Sequence, residues 1–163
     1  MCGIVGLLVK NKAMRSSIGE LMLPMLVGMS ERGPDSAGLA IFTDSVADNK
    51  RKFSLYSLDD EFSWQALNKD FHAHFGGETD LNENGNHAIL TTTLDVITVQ
   101  IWLSDNYPTV HLLSVGQVMD LYKDVGTPAE VAARYNFKNM SGTHLIGHTR
   151  MATESAVTTA GAH

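Results

Sequence analysis

The chain opens with a cysteine that begins a continuously apolar segment. Residues 2–9 read Cys-Gly-Ile-Val-Gly-Leu-Leu-Val and end at Lys10. A short apolar run of this composition predicts a buried β-strand. It is too short for a membrane span, and no basic segment precedes it as in a secretory signal. The sequence therefore predicts a core strand with a thiol at its first residue, and no membrane association.

Cys2 is the sole cysteine, and its position suggests a specific chemistry. Removal of Met1 would leave an α-amino group and a thiol on one residue. Their unperturbed pKa values are about 7.7–8.0 and about 8.5, so the amine can act as base for the thiol near neutral pH. Gly3 keeps bulk away from the sulfur. The alternative is an inert cysteine buried on a core strand.

Composition excludes several classes of protein. The 163 residues fit one domain, and 44% hydrophobic with 18% charged residues exclude wholesale disorder. A formal charge of −6 with scattered basic residues excludes a nucleic-acid surface, and we interpret residues 50–52 (Lys-Arg-Lys) as a solvated turn. A lone cysteine cannot form an internal disulfide, so we expect a reducing compartment, the cytoplasm.

Two capping boxes predict helices. The spacing of Ser17 and Glu20 predicts a helix over about residues 17–29, and Pro24 should kink it or move its start. Thr127 and Glu130, with a proline between them at the first helical position, predict a short helix to about residue 135. Methionines follow the first box at helical spacing, and we interpret them as core packing: Met22, Met25 and Met29.

Six further segments have strand patterns, which indicates a mixed α and β fold. The predicted strands are residues 36–43, 51–57, 88–94, 96–103, 109–115 and 144–151. Polar and glycine-rich turn signals separate them at residues 48–49, 76–77 and 84–85.

Three motifs occur in a fixed order along the chain. Residues 2–6 read Cys-Gly-Ile-Val-Gly, residues 32–38 read Arg-Gly-Pro-Asp-Ser-Ala-Gly, and residues 147–153 read Gly-His-Thr-Arg-Met-Ala-Thr. The ordered set resembles the class II glutamine amidotransferases, the N-terminal-nucleophile group found in glucosamine-phosphate synthase, amidophosphoribosyltransferase and glutamate synthase. The last motif is most similar to the amidotransferase-type subunit of N-methylglutamate synthase. The resemblance covers both ends, and about residues 58–126 match only loosely.

The resemblance implies a fold and an activity. The fold would be the α+β, αββα sandwich of the N-terminal-nucleophile proteins, with two stacked, mainly antiparallel sheets between helical layers. Residues 1–163 would form the N-terminal part of one glutamine amidotransferase domain that is incomplete at its C-terminus. The protein would hydrolyse glutamine and supply ammonia to a glutamate-synthase-like subunit carrying flavin and iron–sulfur centres. The chain itself would need no cofactor.

The resemblance also implies roles for individual residues. Cys2 would attack the side-chain amide of glutamine and form a γ-glutamyl thioester. Arg150 matches the arginine that binds the α-carboxylate of glutamine, a task suited to its bidentate guanidinium. Thr153 matches a position that lines the same pocket. Arg32 and Asp35 match the loop that shapes the site, although an Arg–Asp pair in a Gly-Pro turn can also be purely structural.

Departures from the family pattern leave other hypotheses open. Glu154 stands where glucosamine-phosphate synthase has histidine, which disfavours sugar-phosphate chemistry. The resemblance implies an oxyanion-hole Asn-Gly pair downstream of the Arg150 motif, which would lie beyond His163. Asn84-Gly85 lies before that motif and is interpreted as a hairpin turn. A non-catalytic assembly or regulatory subunit with the same fold is therefore the alternative. An unrelated α/β protein would require all three motifs to be coincidental.

Histidines offer a weak indication of a metal site. His72 and His74 would share one face of a strand, and residues 59–61 (Asp-Asp-Glu) are close in sequence. Nothing completes the usual ligand spacing, so we interpret both histidines as surface residues and expect no metal. His148 should face the same side of its strand as Arg150, as a pocket residue or as a hydrogen-bonded core histidine. The glycine pair at residues 76–77 lacks the spacing and lysine of a nucleotide loop.

Overall fold

The structure, a computed structural model, describes residues 2–152 and Thr158. It divides into two compact units. The first contains both ends of the chain, Met1–Asp44 and Leu121–His163, and the second is Ser45–Asp120. No helix within the described residues combines the length and apolar character needed to cross a membrane.

The described residues contain eight strands and four α-helices, which confirms the α+β class. The strands are β1 (Cys2–Leu8), β2 (Ser36–Phe42), β3 (Arg51–Ser57), β4 (Asp80–Asn84), β5 (His87–Thr92), β6 (Val110–Gly116), β7 (Met119–Val125) and β8 (His144–Arg150). The α-helices are α1 (Ile18–Val27), α2 (Trp64–Phe75), α3 (Val96–Asn106) and α4 (Pro128–Arg134). Short 3₁₀ helices cover Lys12–Ser17, Ser30–Arg32 and Phe137–Asn139.

The strands form two antiparallel four-stranded sheets. The first has the order β1-β8-β2-β7, so β8, late in the chain, lies between β1 and β2. It pairs with each of them over its full length, from His144 to Arg150. The second sheet has the order β4-β5-β3-β6 and belongs entirely to the second unit. Its strands 51–57, 88–94 and 109–115 were predicted within a few residues.

Strand β1 differs from the buried strand that the sequence predicts. It lies at the edge of its sheet, and its residues alternate between a covered and an open face. Gly3 is buried, whereas Ile4 is 71% exposed and Leu8 is 64% exposed. Cys2 is also exposed, which contradicts the alternative of a cysteine buried on a core strand. An apolar run does not reveal whether one or both strand faces are covered.

Helix α1 begins at Ile18, one residue from the predicted start, after a 3₁₀ turn. The Ser17 side chain makes no capping hydrogen bond, so the first capping box is not formed. Pro24 lies inside the helix and has not moved its start. The buried stripe contains Met22, with Ile18, Gly19 and Leu26. Met25 is 39% exposed, so its assignment to the core is wrong, while Met29 is partly buried beyond the helix.

The second capping box is confirmed in full. Thr127 Oγ1 accepts the Glu130 backbone N–H at 3.3 Å, and Glu130 Oε2 accepts the Thr127 N–H at 2.8 Å. Pro128 occupies the first position of α4, where its missing N–H costs nothing. Two of the orphan donors at this helix end, the N–H groups of Thr127 and Glu130, are therefore satisfied within four residues.

The middle of the chain contains the largest corrections. Residues 96–103, predicted as a strand, form most of α3, which Asp95 caps by accepting the Thr98 N–H at 3.0 Å. Its buried residues are Val99, Trp102 and Leu103, which are spaced as on one face of a helix. This spacing outweighs the preference of the β-branched residues for a strand. The sequence also missed α2, β4 and β7.

His72 and His74 lie on α2, so the strand face that they were predicted to share does not exist. Within the described residues, no group of three or more metal-ligating side chains is arranged to hold an ion. The buried face of α2 instead completes the core of the second unit, together with α3 and the strands of its sheet. That core is made mainly of large side chains, including Phe53, Leu55, Trp64, Leu67, Phe71, Leu90 and Trp102.

A buried polar cluster joins β7 to α4. Asp124 is 3% exposed and accepts hydrogen bonds from the Tyr135 hydroxyl and the Arg134 guanidinium. Burial alone would raise the pKa of Asp124, but hydrogen bonds from Tyr135, the Val125 N–H and Arg134 lower it below its ordinary value of 3.8. Burial and the neighbouring carboxylate raise the pKa of Tyr135. Asp124 is thus held ionised, and this carboxylate anchors the turn between β7 and α4.

The two capping boxes give a matched test of the fold. Thr127→Ala should lower the free energy of unfolding by about 1 kcal/mol, because it removes a formed cap. Ser17→Ala should change it by less than about 0.5 kcal/mol, since no cap bond is lost. Urea titrations of both variants measure the difference, and equal losses would contradict the assignment of the caps.

The Asp124 cluster gives a pH-dependent test. Tyr135→Phe should destabilise the protein by about 1–3 kcal/mol at neutral pH, because a buried carboxylate loses a donor. A carboxyl group with a lowered folded pKa stabilises above its unfolded pKa and loses that contribution as pH falls through the folded value. The penalty should therefore shrink as the pH falls below the ordinary value of 3.8.

The control is Tyr107→Phe, which removes a 2.6 Å hydrogen bond to an exposed carboxylate, Asp70. Water can replace that bond, so the loss should stay below about 1 kcal/mol. Urea unfolding at several pH values measures both variants, and a pH-independent Tyr135→Phe penalty would argue against the ionised Asp124.

Candidate functional site

Three predicted motifs meet in one row at the end of the first sheet. Cys2 of β1 pairs directly with Arg150 of β8, and Arg150 pairs on its other side with Ser36 of β2. Directly opposite residues of antiparallel strands share a face, with Cβ atoms about 4.5–5.5 Å apart. The thiol, the guanidinium and the Ser36 hydroxyl therefore lie on one face of the sheet. Cys2 is exposed, Arg150 partly buried and Ser36 fully buried.

The opposite face of this sheet is covered by the segment that contains α1. Thr149 Oγ1 donates to the Met29 carbonyl at 3.3 Å, and a Cβ added at Gly147 would contact the side chain of Leu26 at 2.8 Å. Because side chains alternate along a strand, Cys2 and Arg150 point away from α1. His148 lies on the same face as Arg150, as predicted, in the next row of the sheet.

The loop before β2 is packed directly against the end of β8. A Cβ added at Gly33 would lie 2.3 Å from the Arg150 backbone nitrogen, which no real contact allows. A Cβ at Gly3 would lie 2.6 Å from Met29 Cε and 2.9 Å from Thr149 Oγ1. Gly33 is therefore required by its close approach to the β8 backbone, whereas a Cβ at Gly3 would meet only side-chain atoms, the nearest of them at the flexible end of Met29.

Asp35 connects this loop to two other segments. Its N–H donates to the Arg150 carbonyl at 3.1 Å, and its Oδ2 accepts the Ala152 N–H at 2.7 Å. Its own carbonyl accepts the Gly126 N–H at 2.9 Å, next to the capping box of α4. The interpretation of Asp35 as part of the site's framework agrees with these contacts.

The remaining predicted residues are placed less centrally. Arg32 is exposed at the end of the 3₁₀ turn Ser30–Arg32, and its guanidinium forms no ion pair with another described side chain. Thr153, Glu154 and His163 lie outside the described residues, as does Met1. The structure thus brings Cys2 and Arg150 together, and Arg32 directly precedes Gly33, which packs against the Arg150 backbone.

Ser36 is the residue of this row to which the sequence assigned no role. Its side chain is 1% exposed, and its Oγ forms no hydrogen bond with the part of the chain that the structure describes. Its place in the motif at residues 32–38 was visible in the sequence, but the strand order that puts it beside Arg150 was not.

Asn84-Gly85, interpreted as a hairpin turn, is confirmed as one. Asn84 of β4 pairs with His87 of β5, which leaves Gly85 and Asn86 as a two-residue loop. Gly85 has a φ of 61°, which favours glycine. Trp64 Nε1 donates to the Gly85 carbonyl at 2.9 Å and fixes the turn. This pair therefore has a structural role in the second unit.

A polar cleft of about 590 Å³ also lies in the second unit, between α2 and β4. Its lining is mostly polar and contains none of the predicted site residues: Gln65, Asn68, Lys69, His72, Thr79, Leu81, Asn82 and Glu83. The row of Cys2, Arg150 and Ser36 instead contains the predicted nucleophile and the predicted carboxylate-binding arginine. We therefore assign the candidate site to the row and not to the larger cleft.

Comparisons with known proteins identify two relatives of the chain. The chain is 41% identical over 164 residues to the glutamine amidotransferase-like protein GlxB of Rhizobium meliloti, covering 100% of this chain and 54% of that protein. It is 30% identical over 171 residues to a putative glutamine amidotransferase of Methanothermobacter thermautotrophicus, covering 100% of this chain and 56% of that protein. The chain is related to proteins named as glutamine amidotransferases.

The chain spans about half the length of the curated relatives that it matches. No protein-family model matches it. The names of both relatives support a relationship to the glutamine amidotransferases, which agrees with the resemblance carried by the three motifs.

The packing of Gly33 gives a test of how the site is supported. Gly33→Ala should destabilise the first unit by about 1–3 kcal/mol, because its Cβ would collide with the β8 backbone. Gly6→Ala is the matched control, since its Cβ would meet only the Leu145 carbonyl at 3.8 Å. That change should stay within about 0.5 kcal/mol. Urea unfolding measures both, and equal effects would contradict the close approach.

Proposed function

We propose that this chain is the N-terminal part of a class II glutamine amidotransferase, in which Cys2 hydrolyses glutamine after removal of Met1. The observation that carries the proposal is the pairing of Cys2 with Arg150, which puts a nucleophile and a carboxylate-binding group on one sheet face. The names of the two relatives support the same substrate. The fold would be the αββα sandwich of the N-terminal-nucleophile proteins.

In the proposed reaction, the Cys2 sulfur attacks the side-chain carbonyl carbon of glutamine. The thiol proton passes to the α-amine of Cys2 and then to the departing nitrogen, which leaves as ammonia. The product is a γ-glutamyl thioester. Water then adds to the thioester, and collapse of that adduct releases glutamate and restores the thiol. One glutamine and one water thus give one glutamate and one ammonia.

Arg150 would hold the α-carboxylate of the same glutamine through two parallel hydrogen bonds. The carboxylate and the reacting amide lie at opposite ends of glutamine, so groups on two adjacent strands can contact both ends of one substrate molecule. Thr153 would line this pocket, and Arg32 would contact the substrate from the neighbouring loop. Ammonia would pass to a synthase partner, a glutamate-synthase-like subunit as in N-methylglutamate synthase.

Intact mass spectrometry with a reactive glutamine analogue, 6-diazo-5-oxonorleucine, tests this proposal on the full-length product of the gene. We expect loss of one methionine, followed by a single adduct that maps to Cys2. Retention of Met1 would rule out the N-terminal amine as base. Loss of Met1 without an adduct would point to a non-catalytic subunit with the same fold.

Variants separate the two proposed roles. Cys2→Ser should abolish the adduct, because the weaker hydroxyl nucleophile replaces the thiol. Arg150→Lys should raise the analogue concentration for half-maximal labelling by about 10- to 100-fold, since the bidentate contact is lost. Arg51→Lys, in the second unit, is the control and should label like the unsubstituted protein. Normal labelling of Arg150→Lys would remove Arg150 from the pocket.

A further inference from the structure

Asp35 is bonded to the two peptide groups that follow Arg150 along the chain. Its N–H holds the Arg150 carbonyl, and its carboxylate holds the N–H of Ala152, two residues later. Arg150 is the last residue of β8, so the Ala152 N–H has no partner from the sheet ladder. Asp35, in the loop before β2, therefore supplies the hydrogen bonds that the sheet no longer provides where β8 ends.

A third hydrogen bond of Asp35 connects the end of β8 to the turn before α4. Its carbonyl accepts the N–H of Gly126, whose φ is 121°. Gly126 lies between the anchored carboxylate of Asp124 and the capping box that starts at Thr127. Asp35 is therefore held in place by the residues just before α4. Its other two hydrogen bonds hold the end of β8 against the same point.

We propose that Asp35 is a positioning residue, which orients the Arg150 guanidinium toward the substrate carboxylate by fixing the backbone from Arg150 to Ala152. The inference rests on the proposed glutamine-binding role of Arg150. The direction of a side chain from its Cα follows from the two flanking peptide planes. The pairing of β8 with β1 and β2 holds the plane before Arg150, and the Asp35 N–H holds the carbonyl of the plane after it. The Asp35 carboxylate fixes the next plane through the Ala152 N–H, so the backbone cannot turn away immediately after Arg150. A binding group must keep its geometry within about 0.5 Å to work well.

The interaction is suited to this role because it is charge-assisted. An ionised carboxylate that accepts a backbone N–H makes a hydrogen bond roughly twice as strong as a neutral pair. Gly33 packs against the backbone of the same strand, since no side chain fits between it and the Arg150 nitrogen. The loop at residues 32–35 thus both supports and orients the residue that binds substrate.

Glutaminase kinetics of the full-length protein test the inference. Asp35→Ala should raise KM for glutamine by about 10- to 100-fold and leave kcat within about threefold, because a carboxylate contact is made equally in the ground and transition states. Asp35→Asn should keep KM within about threefold of the unsubstituted protein, since its amide oxygen can accept the same N–H. This split between KM and kcat, with rescue by asparagine, would not follow from destabilisation alone.

The matched control is Asp95→Ala in the second unit. Asp95 also accepts a backbone N–H through its carboxylate, from Thr98 at 3.0 Å. Its loss should lower stability by a similar amount while KM for glutamine stays within about twofold. A KM increase in this control as large as in Asp35→Ala would overturn the inference, because the effect would then reflect stability.

The remaining outcomes are also decisive. Unchanged KM in a folded Asp35→Ala variant, with an active unsubstituted protein, overturns the role of Asp35 and leaves the proposed function standing. An inactive unsubstituted protein overturns the proposed function itself. If Asp35→Ala does not fold, we would measure hydrogen exchange of the Ala152 amide in the unsubstituted protein. Exchange at least about tenfold slower than that of an unprotected amide supports the inference, and exchange at the unprotected rate overturns it.

Discussion

The antiparallel pairing of β8 with both β1 and β2 is the interaction on which the first unit depends. Residues 144–150 lie between residues 2–8 and residues 36–42, so contacts that are most distant in sequence form the centre of the sheet. Closing such a long loop costs conformational entropy, which the buried face of the sheet must offset. Leu145, Gly147 and Thr149 lie on that face, and the α1 segment contacts Gly147 and Thr149 there.

The elements predicted from sequence are those with a local signal. The capping box at Thr127 and Glu130 uses residues three apart, and the two-residue turn at Gly85 depends on one backbone conformation. Such patterns are complete within a few residues, so the sequence reveals them directly. At Ser17 the same spacing is present and the cap is absent, because a 3₁₀ helix ends there and changes the geometry of the first turn.

Predictions that depended on distant partners were less successful. The β-branched residues of α3 favoured a strand, but its buried positions follow helical spacing against the second sheet. Strand β1 was predicted to be buried because its residues are apolar, whereas its edge position leaves one face open. For the candidate site, the motifs identified Cys2 and Arg150, and the structure added their direct pairing. The contacts of Asp35 and the burial of Ser36 could not be read from the motif, because they depend on which strands are neighbours.

The seven-residue register of β1 and β8 has a consequence for how this protein can vary. Side chains alternate between the two faces of a sheet, so a pairing shifted by one residue would send the thiol and the guanidinium to opposite faces. An insertion or deletion of one residue inside either strand therefore inverts the site, whereas a change of two residues preserves its parity. Length variation should concentrate in the loops outside residues 2–8 and 144–150, where it leaves the row at Cys2 intact.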